Sequence, residues 1–190
     1  MKSISTLALI GLLFFACKLC SVSDNTNRPN TNIRISPSAA SGLAAREFIK
    51  PEMRRFRLSK SYTKEELGKT ASGVTVKMIA QSGDCAGGEY SGGSGTAALM
   101  VCSYSGPSVP VALIDEIEQA IKNDQGMRLV RSVPDSSGKR VEATDSQGRG
   151  MVTWHLHNHD WLFMTIGKSM SDATALADAV CILPTGRPCG

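Results

Sequence analysis

The stretch Cys85-Ala86-Gly87-Gly88-Glu89-Tyr90-Ser91-Gly92-Gly93-Ser94-Gly95-Thr96-Ala97-Ala98-Leu99-Met100-Val101-Cys102 carries the reading of the fold. Gly92, Gly93 and Gly95 bracket Ser94, and a two-residue Gly93-Ser94 loop suits a type II′ hairpin turn, whose first central position takes positive φ and favours glycine. Positions equidistant from such a turn face each other across the ladder. Cys85 and Cys102 each stand eight residues from it, so the turn alone predicts that their sulfurs meet in a disulfide. The second arm, Thr96 to Tyr104, is apolar and reads as a strand. Gly83, Gly87 and Gly88 support a competing reading, in which the first arm is too loose to be a regular strand.

Working toward the C-terminus, Leu113, Ile114, Ile117 and Ile121 share one face of a helix, with Asp115, Glu116, Glu118 and Lys122 on the other and Pro110 tolerated at its start. Met127 to Val133 and Arg140 to Thr144 form a hairpin about Pro134-Asp135-Ser136-Ser137-Gly138, and Ser146-Gln147-Gly148 turns the chain again. Two more strands flank Asn158-His159-Asp160. With a three-residue loop there, Val152, Trp154 and Leu156 share a face with Leu162, Met164 and Ile166. Ser171 caps a last helix with Ala173, Leu176, Ala177 and Val180 inward, and Pro184 prevents its continuation. Working toward the N-terminus, Val74, Val76 and Met78 alternate with polar residues as in a half-buried strand. The expected fold is therefore α+β: a mostly antiparallel sheet of about six strands with two helices on one face, filling residues 70–190 as a single domain.

What precedes that domain is polar, then basic. Residues 24–45 are rich in Asn, Ser, Thr, Pro and Ala and offer little to bury, so they read as a linker. Arg46 to Lys69 carries Arg54, Arg55 and Arg57 around Phe56, and Thr63-Lys64-Glu65-Glu66 has capping-box spacing for a short helix. Residues 24–69 are expected as a flexible, partly helical arm. Before them, Met1 and Lys2 lead into Leu7-Ala8-Leu9-Ile10-Gly11-Leu12-Leu13-Phe14-Phe15-Ala16, about half the roughly 20 residues that a spanning helix needs. This is the pattern of a signal peptide covering residues 1–23, with Ser21 and Ser23 at a cut before Asp24. A cut before Cys17 would instead make 1–16 a lipoprotein signal and Cys17 a lipid anchor. Loss of Cys17 and Cys20 leaves Cys85, Cys102, Cys181 and Cys189, an even set suited to two disulfides in an oxidising compartment. Either cut places the body outside the cytoplasm, periplasmic or secreted.

The chain has 190 residues, 42% hydrophobic, with a net charge of +4. That length and apolar content suffice for one domain with a real core. The charge is unevenly spread: +2 over residues 1–23, +5 over 24–69 and −3 over 70–190. An acidic body makes nucleic acid an unexpected partner and leaves the arm to meet an anionic membrane surface or wall polymer.

The strongest local chemistry is His155-Leu156-His157-Asn158-His159-Asp160. Alternation sends His155 and His157 to one face, and two imidazoles at that spacing, completed by His159 or Asp160, could hold a zinc-like metal. A polar hairpin tip explains the same residues, because turns favour Asn and Asp for backbone reasons. Gly167-Lys168-Ser169 matches only the end of a phosphate loop, since Leu162 stands where its first glycine belongs. Ser61 and Lys64 have the spacing of an acylation pair but lie among basic residues that provide no apolar pocket to activate the lysine. No nucleophile elbow occurs. The expected role is an exported or envelope-associated, non-catalytic binding or structural accessory domain; the alternative is a metal-binding or metal-dependent protein using His155, His157 and His159.

Overall fold

The computed structural model describes residues 44–71, 74–92, 95–135 and 138–189. The signal peptide, Cys17 and the linker to residue 43 lie outside them, as does the Gly93-Ser94 turn. A 3-10 turn at Ala45–Phe48 opens the domain, followed by β1 (Glu52–Met53), β2 (Phe56–Thr63), α1 (Lys64–Thr70), α2 (Val74–Gln81), β3 (Asp84–Gly92) and β4 (Gly95–Ser103). Then come α3 (Ser108–Asn123), β5 (Met127–Asp135), β6 (Gly138–Asp145), β7 (Gly150–Leu156), β8 (Trp161–Gly167) and α4 (Met170–Ala177). The strands make one antiparallel sheet in the order β1-β2-β3-β4-β8-β7-β6-β5. Two meanders thus meet at β4 and β8.

The expected hairpin is present as β3 and β4. Cys85 pairs with Cys102, and the ladder runs from Asp84↔Ser103 to Gly92↔Gly95. Its first arm is a full strand despite its glycines. A Cβ at Gly87 would lie 2.9 Å from Leu67 Cδ2 of α1, and one at Gly88 would lie 2.8 Å from both Leu58 and Tyr90 side chains. Those glycines let neighbours close over both faces of β3.

Three expectations are corrected. The sheet has eight strands, because Val74–Gln81 is a helix while β1, β2 and β3 join the sheet. In α2 the buried residues are Thr75, Met78 and Ile79, with Val76 47% exposed; burial at i, i+3 and i+4 is the helical period, and it overrides the weak alternation of valines. Secondly, residues 45–69 are part of the domain. Phe48, Met53, Phe56, Tyr62 and Leu67 are all buried, and β2 pairs along β3 from Arg57↔Ser91 to Thr63↔Ala86. The capping box within this stretch forms as expected: Thr63 Oγ1 accepts from Glu66 N and Glu66 Oε2 accepts from Thr63 N.

Thirdly, helices cover both faces. On one, α1, α2 and α3 pack with Tyr62, Leu67, Met78, Leu113, Ile114, Ile117, Val141, Leu162 and Met164 around the buried Cys85–Cys102 bridge. On the other, the 3-10 turn and α4 cover Phe56, Tyr90, Leu99, Val101, Trp161 and Phe163. The β7–β8 register explains the difference. The loop is four residues, His157 to Asp160, with Asn158 at φ 63°, so Trp154 opposes Phe163 and His155 opposes Leu162. A shift of one residue exchanges the faces: Val152 and Trp154 side with Phe163 and Thr165, while Leu162, Met164 and Ile166 side with His155, Thr153 and Met151. The last helix is capped by Ser169, two residues before the expected Ser171, through Asp172 N–H donating to Ser169 Oγ.

Candidate functional site

That register places the four expected metal residues in different surroundings. His155 is 5% exposed on the α3 face, His157 is exposed, and His159 and Asp160 are half-buried. His159 packs against the C-terminal segment, where a Cβ at Gly186 would fall 2.5 Å from its Nδ1. Among the described residues no group of three or more His, Cys, Asp or Glu side chains is placed to hold a metal ion.

His155 instead borders a charged cluster between α3 and β6. Lys139 Nζ lies 2.6 Å from Asp115 Oδ1 and 2.5 Å from Glu118 Oε2, and Lys122 Nζ lies 2.6 Å from Glu118 Oε1. Hydrogen bonds from Lys122 and then Lys139 hold the Glu118 carboxyl down to about 2. Burial, more than any neighbour, lowers the His155 pKa; the Leu156 backbone and Asp115 oppose that shift, and His157 and Lys139 assist it. His155 Nδ1 is buried without a hydrogen-bond partner. The folded state therefore disfavours the imidazolium, and the unfolded chain binds more protons below its own pKa of about 6.5. The His155 contribution is intact above that pH and is lost as pH falls through it. Urea denaturation is expected to show stability falling from about pH 7.5 to about pH 5.5, with a smaller fall in His155→Gln. Equal slopes in the two proteins would refute the assignment.

Both expected disulfides are formed, Cys85–Cys102 in the core and Cys181–Cys189 near the C-terminus. The second closes a short loop tied by an Ile182↔Pro188 bridge and by Cys189 N–H donating to Cys181 O at 3.1 Å. Two disulfides, with no helix among the described residues long and apolar enough to cross a membrane, are compatible with an extracytoplasmic protein.

A cluster of exposed cations lies on the β1–β2 hairpin. Met53 opposes Phe56, so Arg54-Arg55 is a two-residue turn, and Arg54 sits in the left-handed region at φ 52°. Met53 and Phe56 point into the core while Arg54, Arg55, Arg57 and Lys60 are exposed. The Arg55 guanidinium lies 5.4 Å from the Phe56 ring centroid and Lys60 Nζ lies 4.6 Å from that of Tyr62, geometries that hold the stems down and the charges outward. Among the described residues the hairpin's ion pair is Arg57 Nε to Glu52 Oε1 at 3.2 Å. The sequence marks these cations as a cluster but not as a turn, because Arg-Arg carries none of the Gly, Asn or Asp signal such turns favour.

Among the described residues, three concavities adjoin the β1–β2 hairpin, one of them a groove of about 760 Å³ lined by Leu58, Tyr62, Lys64, Glu66 and Asp84. Between the sheet and helices α1 and α2 lies a cavity of about 30 Å³ walled by Leu67, Ile79, Met100 and Met164, water-sized rather than ligand-sized. Nearby, the Tyr62 hydroxyl donates to the buried Glu89 carboxylate. On the opposite face, a cleft of about 500 Å³ separates β1 and the residues before it from the Cys181–Cys189 loop. Phe48 and Met53 form its floor, Val180 and Pro188 its far wall, and Lys50 and Arg54 its near rim.

Fold and surface together define a disulfide-linked α+β domain on an eight-stranded antiparallel sheet, with a basic hairpin at one edge. No protein-family model matches the chain, and no curated protein or solved structure matches it.

Proposed function

We propose that this chain is an extracytoplasmic, envelope-associated, non-catalytic binding domain that meets an anionic membrane surface through its β1–β2 hairpin. The observation that supports this reading is the exposure of Arg54, Arg55, Arg57 and Lys60 on one rigid hairpin with Glu52 as the acid in ion-pair contact. Fixing the cations on a strand anchored in the core means that a surface can engage them without ordering a flexible arm. Each basic group held near an anionic surface contributes about 1 kcal/mol, and the attraction decays within a Debye length.

Sedimentation with vesicles tests it. The mature chain is expected to bind phosphatidylglycerol-containing vesicles, to release in high salt, and to leave pure phosphatidylcholine vesicles unbound. The triple variant Arg55→Gln, Arg57→Gln, Lys60→Gln is expected to bind roughly a hundredfold more weakly, from three such contributions. Salt-insensitive binding, or binding indifferent to the triple substitution, would overturn the proposal, and selective binding to an anionic wall polymer would move the partner from lipid to wall. Mass spectrometry of the mature protein reads the export part: a chain starting at Asp24, or a lipid on Cys17, is the expected result.

A further inference from the structure

We infer that the cleft between the β1–β2 hairpin and the Cys181–Cys189 loop is a binding site for the phosphate headgroup of an anionic phospholipid. The inference rests on the surface reading above and deepens it, from a field of charge to a shaped site. Lys50 and Arg54 stand at the rim, and neither has an ion-pair partner among the described residues; the acid that shares the cleft, Glu52, is turned to Arg57 at 3.2 Å. Two unengaged cations beside one opening suit a single phosphate, with the guanidinium able to donate two parallel hydrogen bonds and the ammonium acting as a point charge.

The other surfaces of the cleft distinguish a lipid from a bare anion. Its floor and far wall, Phe48, Met53, Val180 and Pro188, are apolar, which an inorganic ion cannot use and a glycerol ester with its first methylenes can. About 500 Å³ falls within the range of ordinary ligand pockets. Both walls are held in place before any ligand arrives. The Tyr90 hydroxyl donates to Lys50 O at 3.1 Å, and the disulfide ties the opposite segment. Arg54 adds an independent sign. It occupies the first central position of a two-residue turn at φ 52°, where glycine would be at ease and a long cationic side chain is not. Strain retained at a rim suggests a role for the side chain that carries it.

That same feature supplies a test that cannot be confused with misfolding, because Arg54→Gly relieves the backbone while removing the charge. Calorimetric titration of the mature chain with short-chain dihexanoylphosphatidylglycerol is expected to show binding, at least tenfold tighter than inorganic phosphate or dihexanoylphosphatidylcholine. Arg54→Gly and, separately, Lys50→Gln are each expected to weaken it at least tenfold, with the Arg54→Gly thermal midpoint unchanged or raised. Equal affinity for inorganic phosphate or for the neutral lipid overturns the site as a phospholipid site, as does lipid affinity unchanged by both substitutions. Vesicle binding that responds to the Arg55, Arg57 and Lys60 substitutions while the short-chain lipid fails to bind overturns the cleft and leaves the hairpin surface standing; loss of both overturns both.

Discussion

Replacing Phe48 with alanine is expected to destabilise the domain by about 3–5 kcal/mol, the range for removing a fully buried aromatic side chain. Phe48 is 1% exposed. Its ring meets Trp161 at 4.9 Å and Phe163 at 5.2 Å between centroids, both edge-on, and such pairs add to the simple burial of area. The backbone beneath it is fixed as well, since Ala45 N–H donates to Asp84 Oδ2 at 2.8 Å and the 3-10 turn closes through Ile49 N–H to Arg46 O. The substitution therefore leaves a void that cannot collapse without moving β8, a central strand. Urea denaturation followed by tryptophan fluorescence reads the effect, because Trp161 is in contact with the lost ring. The result discriminates sharply. Were residues 45–63 an appended arm, the change would fall within about 0.5 kcal/mol, as for surface positions remote from the core.

Removal of the Cys85–Cys102 bridge by paired alanine substitution is expected to cost about 3 kcal/mol, the chain-entropy value for a loop of this length. The bridge links residues 17 apart in sequence and joins adjacent strands on the α3 face, where Cys85 and Cys102 are 2% and 0% exposed. The Cys181–Cys189 bridge spans 8 residues at the half-exposed C-terminus, so its removal is expected to cost less on the same logarithmic scale. Equilibrium unfolding of the two double variants beside the parent makes the comparison. A larger loss from the C-terminal bridge would mean that the core bridge contributes little beyond the hydrogen bonds of its ladder. The order matters for the cleft too, because the C-terminal variant is expected to disturb the wall carrying Val180 and Pro188 with the sheet intact.

The elements legible in the sequence share a property: the information for each lies within a few residues. The turn residues between Cys85 and Cys102 set their pairing; the apolar spacing from Leu113 to Ile121 set a helix; Thr63 and Glu66 set a cap; and the turn signals at 134–138 and 146–148 set the meander from β5 to β7. The misread elements are those whose local signal is weak and whose partner is distant in sequence. Val74, Val76 and Met78 alternate, yet Met78 and Ile79 bury together because the space between the sheet and α3 admits a helix. β2 carries five exposed residues among its eight, the pattern of a near-edge strand shielded by charge, and it reads as a basic arm until β3 is placed beside it. β8 is buried on nearly every residue, so its composition holds no preference for either register with β7.

The candidate site divides the same way. Sequence alone established the cationic cluster around Phe56, the even set of four cysteines beyond the leader pattern, and the β3–β4 hairpin that aligns two of them. It also raised the histidine tip as chemistry. Tertiary structure decided that His155 turns under α3 while His157 faces out, since a four-residue loop with Asn158 at positive φ sets the register by one residue and with it the face of every side chain on β8. It likewise decided that the basic cluster is a hairpin facing the C-terminal disulfide across a cleft, because burial of Phe48, Met53 and Phe56 in one cluster with residues of β3, β4 and β8, the last more than 100 residues away in sequence, fixes where those arginines stand. Turn chemistry and periodicity are written locally; which face is covered, and by what, is settled by the apolar area that distant segments remove from water together.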